Sequence, residues 1–100
     1  MATPNHLPKT NTRIAAEFAA GVFQFLDDET HGRRSMRWLC AQVNTRRPED
    51  PIALATFRYR LTQSPRNFTF VDHDDIAQAL GTTVDKIIEL GAAALDEEAA

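Results

Sequence analysis

Cysteine is nearly absent from this chain of 100 residues: Cys40 stands alone, so no internal disulfide can form, which fits a reducing compartment. Its neighbours Leu39, Ala41 and Val43 read as core, and the thiol is expected as a small buried hydrophobe and not as a nucleophile. His6, His31 and His73 are scattered, with no pair of His or Cys at metal-ligand spacing, so neither zinc nor another cofactor is expected. Glycine is scarce as well, and no glycine loop that would cradle a phosphate is present. No nucleophile, base and orienting group can be paired from their spacing, which argues against an enzyme. Apolar stretches are broken by charge well short of the ~20 residues of a membrane span. Nor does a basic start lead into an apolar signal region, and a soluble cytoplasmic protein is expected.

What is present is enough apolar content, 43% of residues, for one compact domain with a single core. The charge is unevenly spread. The net value is −3, yet Arg33 to Asn67 carries Arg33, Arg34, Arg37, Arg46, Arg47, Arg58, Arg60 and Arg66 against only Glu49 and Asp50. Local sign decides which surface meets a polyanion, although a basic run is commonly just a solvated face. Nine of the eleven basic residues are arginine; its planar fork suits phosphate and guanine, but a GC-rich genome yields the same bias.

Residues 1–10, with Pro4 and Pro8 and no periodicity, are expected to form a flexible arm, and residues 11–100 a single helical domain. Asn11 or Thr12 can cap a first helix whose apolar stripe is Ile14, Phe18, Val22, Phe25 and Leu26. Ser35 caps a second helix through Val43, burying Met36, Leu39, Cys40 and Val43, with Trp38 at the rim of the core. Asn44 to Asp50 reads as a loop. Asp50 and Pro51 are a capping residue and first-turn proline for a third helix ending near Thr62, although a start at Thr45 with Pro48 in the first turn is also compatible. On that helix Leu54, Phe57 and Leu61 gather on one side, and Ile52, Thr56, Tyr59, Arg60 and Gln63 on the other. The bland alternative buries Ile52 and Tyr59 beneath the next segment. Phe68, Phe70 and Val71 return to the core as an extended loop. Asp72 caps a fourth helix that buries Ile76, Ala77 and Leu80 and stops at Gly81. Thr82 or Thr83 caps a fifth, with a stripe of Val84, Ile87, Ile88, Gly91 and Leu95 and an acidic end expected to fray. Its first part would close the core, and Ile88, Gly91 and Leu95 would pair with a second copy.

The run S-M-R-W-L-C-A-Q-V-N, Ser35 to Asn44, resembles the first helix of the helix-turn-helix in the Cro/C1 (XRE-like) repressor family. There a capping Ser or Thr is followed by a Leu and small-residue pair and then a turn glycine; Leu39, Cys40 and Asn44 stand in those places. Arg66 to Ile88 is similar to that family's closing segment: Arg-Asn after the recognition helix, then Ile-Ala-x-Ala-Leu-Gly and Val-Asp-x-Ile, in ungapped register. Phe68 stands where a proline is usual, and the turn Asn44 to Asp50 is longer than the family's and lacks glycine. The resemblance implies an all-α, five-helix, lambda-repressor-like helix-turn-helix domain.

It also implies a transcriptional regulator, such as a repressor, that binds double-stranded DNA sequence-specifically as a homodimer. The third helix would then present Thr56, Tyr59, Arg60 and Gln63 to base edges, with Arg60 favouring guanine and Gln63 adenine. Arg33, Arg34, Ser35, Arg37, Arg46, Arg47, Arg58, Arg66 and Asn67 would hold phosphates. The competing expectation is a small helical adaptor whose basic face docks an acidic protein.

Overall fold

The computed structural model describes residues 3–99, and every regular element among them is helical. Five α-helices follow one another: α1 (Thr3–Leu26), α2 (Met36–Thr45), α3 (Leu54–Thr62), α4 (Phe70–Ala79) and α5 (Val84–Ala99). Single 3-10 turns stand at Glu29–His31 and Pro65–Asn67. The all-α, five-helix architecture expected from the sequence is therefore the one the chain adopts. None of these helices is long and apolar enough to cross a membrane.

The frame is the pairing of α1 with α5, the most extensive contact between elements. Gly21 of α1 faces Ile87 while Gly91 of α5 faces Glu17, so the two helices run antiparallel. Both glycines are buried. A Cβ on Gly21 would run into the Ile87 carbonyl oxygen, and one on Gly91 into the carbonyl oxygen of Glu17. Backbone therefore lies against backbone, and only hydrogen fits between. Phe18, Val22 and Ile87 are wholly buried in this frame, and Leu39, Val43, Phe57, Leu61 and Ile76 bring α2, α3 and α4 onto the same core. Cys40 is part of it, and burial pushes its thiol up despite a hydrogen bond from Asn44 that pulls the other way.

Several sequence expectations need correction. The chain is helical from Thr3, so most of the expected arm belongs to α1; Pro4 falls in the first turn, where no N–H is required of it. Met1 and Ala2 lie outside the described residues, as does the side chain of Lys9. Ile14 is not on the buried stripe but 38% exposed. The acidic end of α5 continues as helix to Ala99, with Asp96 3.4 Å from Arg13 on α1. Gly91 is used inside the chain and is not available to a second copy, and Ile88 also packs against the core.

Of the expected caps, those of α2 and α5 hold, whereas Asn11 and Thr12 fall inside α1 and do not start it. The Ser35 hydroxyl accepts from the Trp38 N–H at 3.0 Å, and the Thr83 hydroxyl accepts from the Lys86 N–H at 3.2 Å. Gly81 follows α4 at φ 74°, the left-handed region that glycine enters at no steric cost. Asp72 is not the cap of α4 but its third residue. The cap is Thr69, in a reciprocal box: the Thr69 hydroxyl accepts from the Asp72 N–H at 3.1 Å and Asp72 accepts from the Thr69 N–H at 2.9 Å. That box starts the helix earlier than expected and leaves Phe70 and Val71 outside the core, 91% and 65% exposed.

Gly91→Ala should lower stability by about 3 kcal/mol, the upper range of overpacking penalties. Gly81→Ala should cost only about 1 to 2 kcal/mol, the penalty of a left-handed residue bearing a Cβ. Thermal melts of the two variants beside wild type check the order.

Candidate nucleic-acid interface

The segment between α2 and α3 positions the candidate reading helix. Asp50 and Pro51 do not open α3, contrary to expectation. Instead the Asn44 side chain clamps Ile52, its Oδ1 accepting from the Ile52 N–H at 2.8 Å and its Nδ2 donating to the Ile52 carbonyl at 2.9 Å. The clamp keeps the chain non-helical through Ala53, whose φ and ψ of −64° and 144° are extended, and α3 begins at Leu54 without a side-chain cap. Ile52 consequently is not on the helix at all; it packs against the core.

On α3, Phe57 and Leu61 are buried and Leu54 packs beside them. Thr56, Tyr59 and Gln63 are exposed, Tyr59 by 57%. The alternative that buries Tyr59 does not hold. Arg58 is exposed on the flank of the same helix. Arg60, the expected guanine reader, turns toward α4 instead: its Nη1 is 3.8 Å from Asp72 Oδ2 and its side chain is 31% exposed. That separation is beyond a hydrogen bond, so the guanidinium is attracted without being saturated. From Pro51 to Val71 the chain has three arginines and no acid.

The expected phosphate contacts divide into two groups. Arg47 is held within the protein. Its Nη1 donates to Asp72 Oδ1 at 2.7 Å, and its Nε and Nη2 donate to Asp75 Oδ2 at 3.2 and 2.6 Å. Arg34 is also engaged: its guanidinium lies 4.6 Å from the Trp38 ring centroid and donates to the Phe25 carbonyl at 3.4 Å. Contrary to expectation, neither is free for a phosphate, because a guanidinium held this way presents little charge to one. Arg46 donates to the Gln42 carbonyl and to Gln78, and Arg33 pairs with Glu29 at 3.2 Å with both side chains well exposed, a pair of small strength. Ser35 uses its hydroxyl oxygen as the cap. Arg37, Arg58, Arg66 and Asn67 are exposed, and none of the three arginines forms an ion pair among the described residues.

Asp72, expected only as a helix cap, also pairs with Arg47 and attracts Arg60. Burial pushes its carboxyl up, but the Thr69 N–H and then the Arg47 guanidinium outweigh burial and hold it below the usual carboxylate range. Next to it His73 stacks on Phe18 with ring centroids 4.0 Å apart. Burial lowers its imidazole below the usual value, only partly opposed by Asp72, and Nε2 is buried with no hydrogen-bond partner among the described residues. The Thr-x-x-Asp spacing was a visible signal of the capping box; the pairing with Arg47, 25 positions earlier, left none.

Arg47→Ala should destabilise the fold by about 3 kcal/mol or more, because it strands two carboxylates of low exposure; urea denaturation measures the loss. Stability should also fall on acidification in two stages. His73 contributes fully above the ordinary histidine value of 6.5, and that contribution is lost as the pH falls toward its lower folded value, since the unfolded chain takes up a proton that the buried ring refuses. The Asp72 contribution is complete above the ordinary 3.8 and is lost as the pH falls through its depressed folded value. His73→Phe should flatten the first stage and leave the second, as read by denaturation at a series of pH values. No family model matches the chain, and no curated protein or solved structure matches it either.

Proposed function

We propose that this protein binds double-stranded DNA through α3, in the manner of a helix-turn-helix regulator with a lengthened turn. The observation that carries the reading is the solvent face of α3. Thr56 and Tyr59 on the helix, with Gln63 at its C-cap, stand exposed above an apolar underside, on a segment from Pro51 to Val71 that holds three arginines and no acid. A major groove offers donors, acceptors and thymine methyl groups, and such a mixed face of hydroxyls, amide and aromatic ring matches them. Arg58 and Arg37 supply cations free to meet phosphates, and they set register and orientation without reading sequence. Arg60 lies at the margin of the face, drawn toward Asp72, and contributes guanine preference only with the part of its fork that Asp72 leaves open. One such helix reads a half-site, so a full operator calls for two copies.

Selection from random duplexes followed by fluorescence anisotropy tests the reading. Wild type should enrich a defined short sequence, and its affinity should fall steeply with salt. Gln63→Ala should relax the preference at one base pair at a cost of about 1 to 3 kcal/mol. Arg58→Ala should weaken all duplexes alike and reduce the salt slope by about one. Absence of duplex retention even at low salt sinks the proposal.

A further inference from the structure

Val71 is apolar, yet it is 65% exposed. It is the second residue of α4, and the capping box between Thr69 and Asp72 closes around it, which fixes its backbone. A single exposed apolar side chain is ordinary on a protein surface. What sets Val71 apart is its place. It lines one groove with Thr56 and Arg60 of α3, and its chain neighbour Asp72 holds the carboxylate that lies 3.8 Å from the Arg60 guanidinium. The start of α4 therefore continues the face of α3 on its Arg60 side. Phe70, still more exposed at 91%, lines a different groove with Ile14, Phe68 and Arg66, in which Thr56 and Arg60 have no part.

The chemistry of the groove narrows what Val71 can meet. Arg47, Asp72 and Asp75 also line it, but they are bonded to one another, with side chains no more than 16% exposed. Thr56 is exposed, and Arg60 keeps part of its fork open. The Val71 side chain beside them carries only methyl groups, so it makes no hydrogen bond to a phosphate or to a base edge. The apolar feature that a base pair presents in the major groove is the C5 methyl of thymine. Contact between methyl groups takes both out of water, which is favourable in proportion to the apolar area covered.

We infer that Val71 is a further specificity-determining residue, one that meets a thymine methyl beside the base edges read by Thr56 and Arg60. This rests on the reading of α3 and adds to it a contact from outside that helix. In the duplex that wild type enriches, replacing each thymine in turn by uracil removes a methyl group and no hydrogen-bonding group. One such replacement should weaken wild-type binding about fourfold, the equivalent of a methyl group returned to water, as read by fluorescence anisotropy. Val71→Ser should bind the thymine and uracil forms of that duplex alike, with unchanged circular dichroism since the side chain is already in water. Phe70→Ser should keep the difference. The role of Val71 is overturned if no uracil matters to wild type, if Val71→Ser retains the difference, or if Phe70→Ser abolishes it as well. Gln63→Ala on the same duplex reports on α3 separately, so the reading of α3 can survive that failure. No duplex retained at low salt overturns both.

Discussion

The contact of backbone on backbone between α1 and α5 is the constraint on which the rest depends. Glycine inside a helix costs roughly 1 kcal/mol against alanine, and this chain places one in each of its two longest helices, Gly21 and Gly91. The penalty is offset because the missing side chains let the helices close until each glycine meets a carbonyl of its neighbour. With the axes that near, Phe18, Val22 and Ile87 become fully buried. The same α1 reaches the 3-10 turn Pro65–Asn67, so the spacing set at the glycines passes along α1 to the turn that leads out of α3.

A second constraint orients α3 within that frame. One carboxylate, Asp72, closes the cap of α4, accepts from Arg47 on the long turn and attracts Arg60 on α3. With the Asn44 clamp on Ile52 it makes the lengthened turn a tied segment. A short turn fixes the angle between two helices by having few conformations; here a longer one does so by having its polar groups bonded. Removing Arg47 therefore acts on geometry first and on surface charge second.

Much of this was legible in the sequence. Apolar spacing found all five helices and most of the core, since Phe18, Val22, Leu39, Val43, Phe57, Leu61, Ile76 and Ile87 recur at helical steps. Caps by Ser35 and Thr83, and the stop at Gly81, were readable because each acts within four residues. What failed needed partners far along the chain. Asp50-Pro51 is an adequate local start for a helix, but the Asn44 clamp overrides it. Asp72 is an adequate cap, but Thr69 competes and wins by making two bonds where Asp72 alone would make one. Phe70 and Val71 looked like core because they are apolar, and only the register of α4 turns them outward. For the candidate site, the exposure of Thr56, Tyr59 and Gln63 was correctly anticipated, whereas Arg34 and Arg47 were counted as free charge without knowledge of Trp38 and the two aspartates.

That last difference changes how the basic stretch is understood. Six excess positive charges between Arg33 and Asn67 overstate the field at the surface, because acids from outside the stretch fold onto it: Glu29 onto Arg33, Asp72 and Asp75 onto Arg47. Paired charges at these distances largely cancel beyond a Debye length. What survives is set by position. The exposed face of α3 and the turn after it contain no acid, so Arg58 and Arg66 keep their local sign although the chain as a whole is acidic. A polyanion approaching α3 meets positive charge there, and the cost of its approach to the acidic α5 falls with distance from that helix.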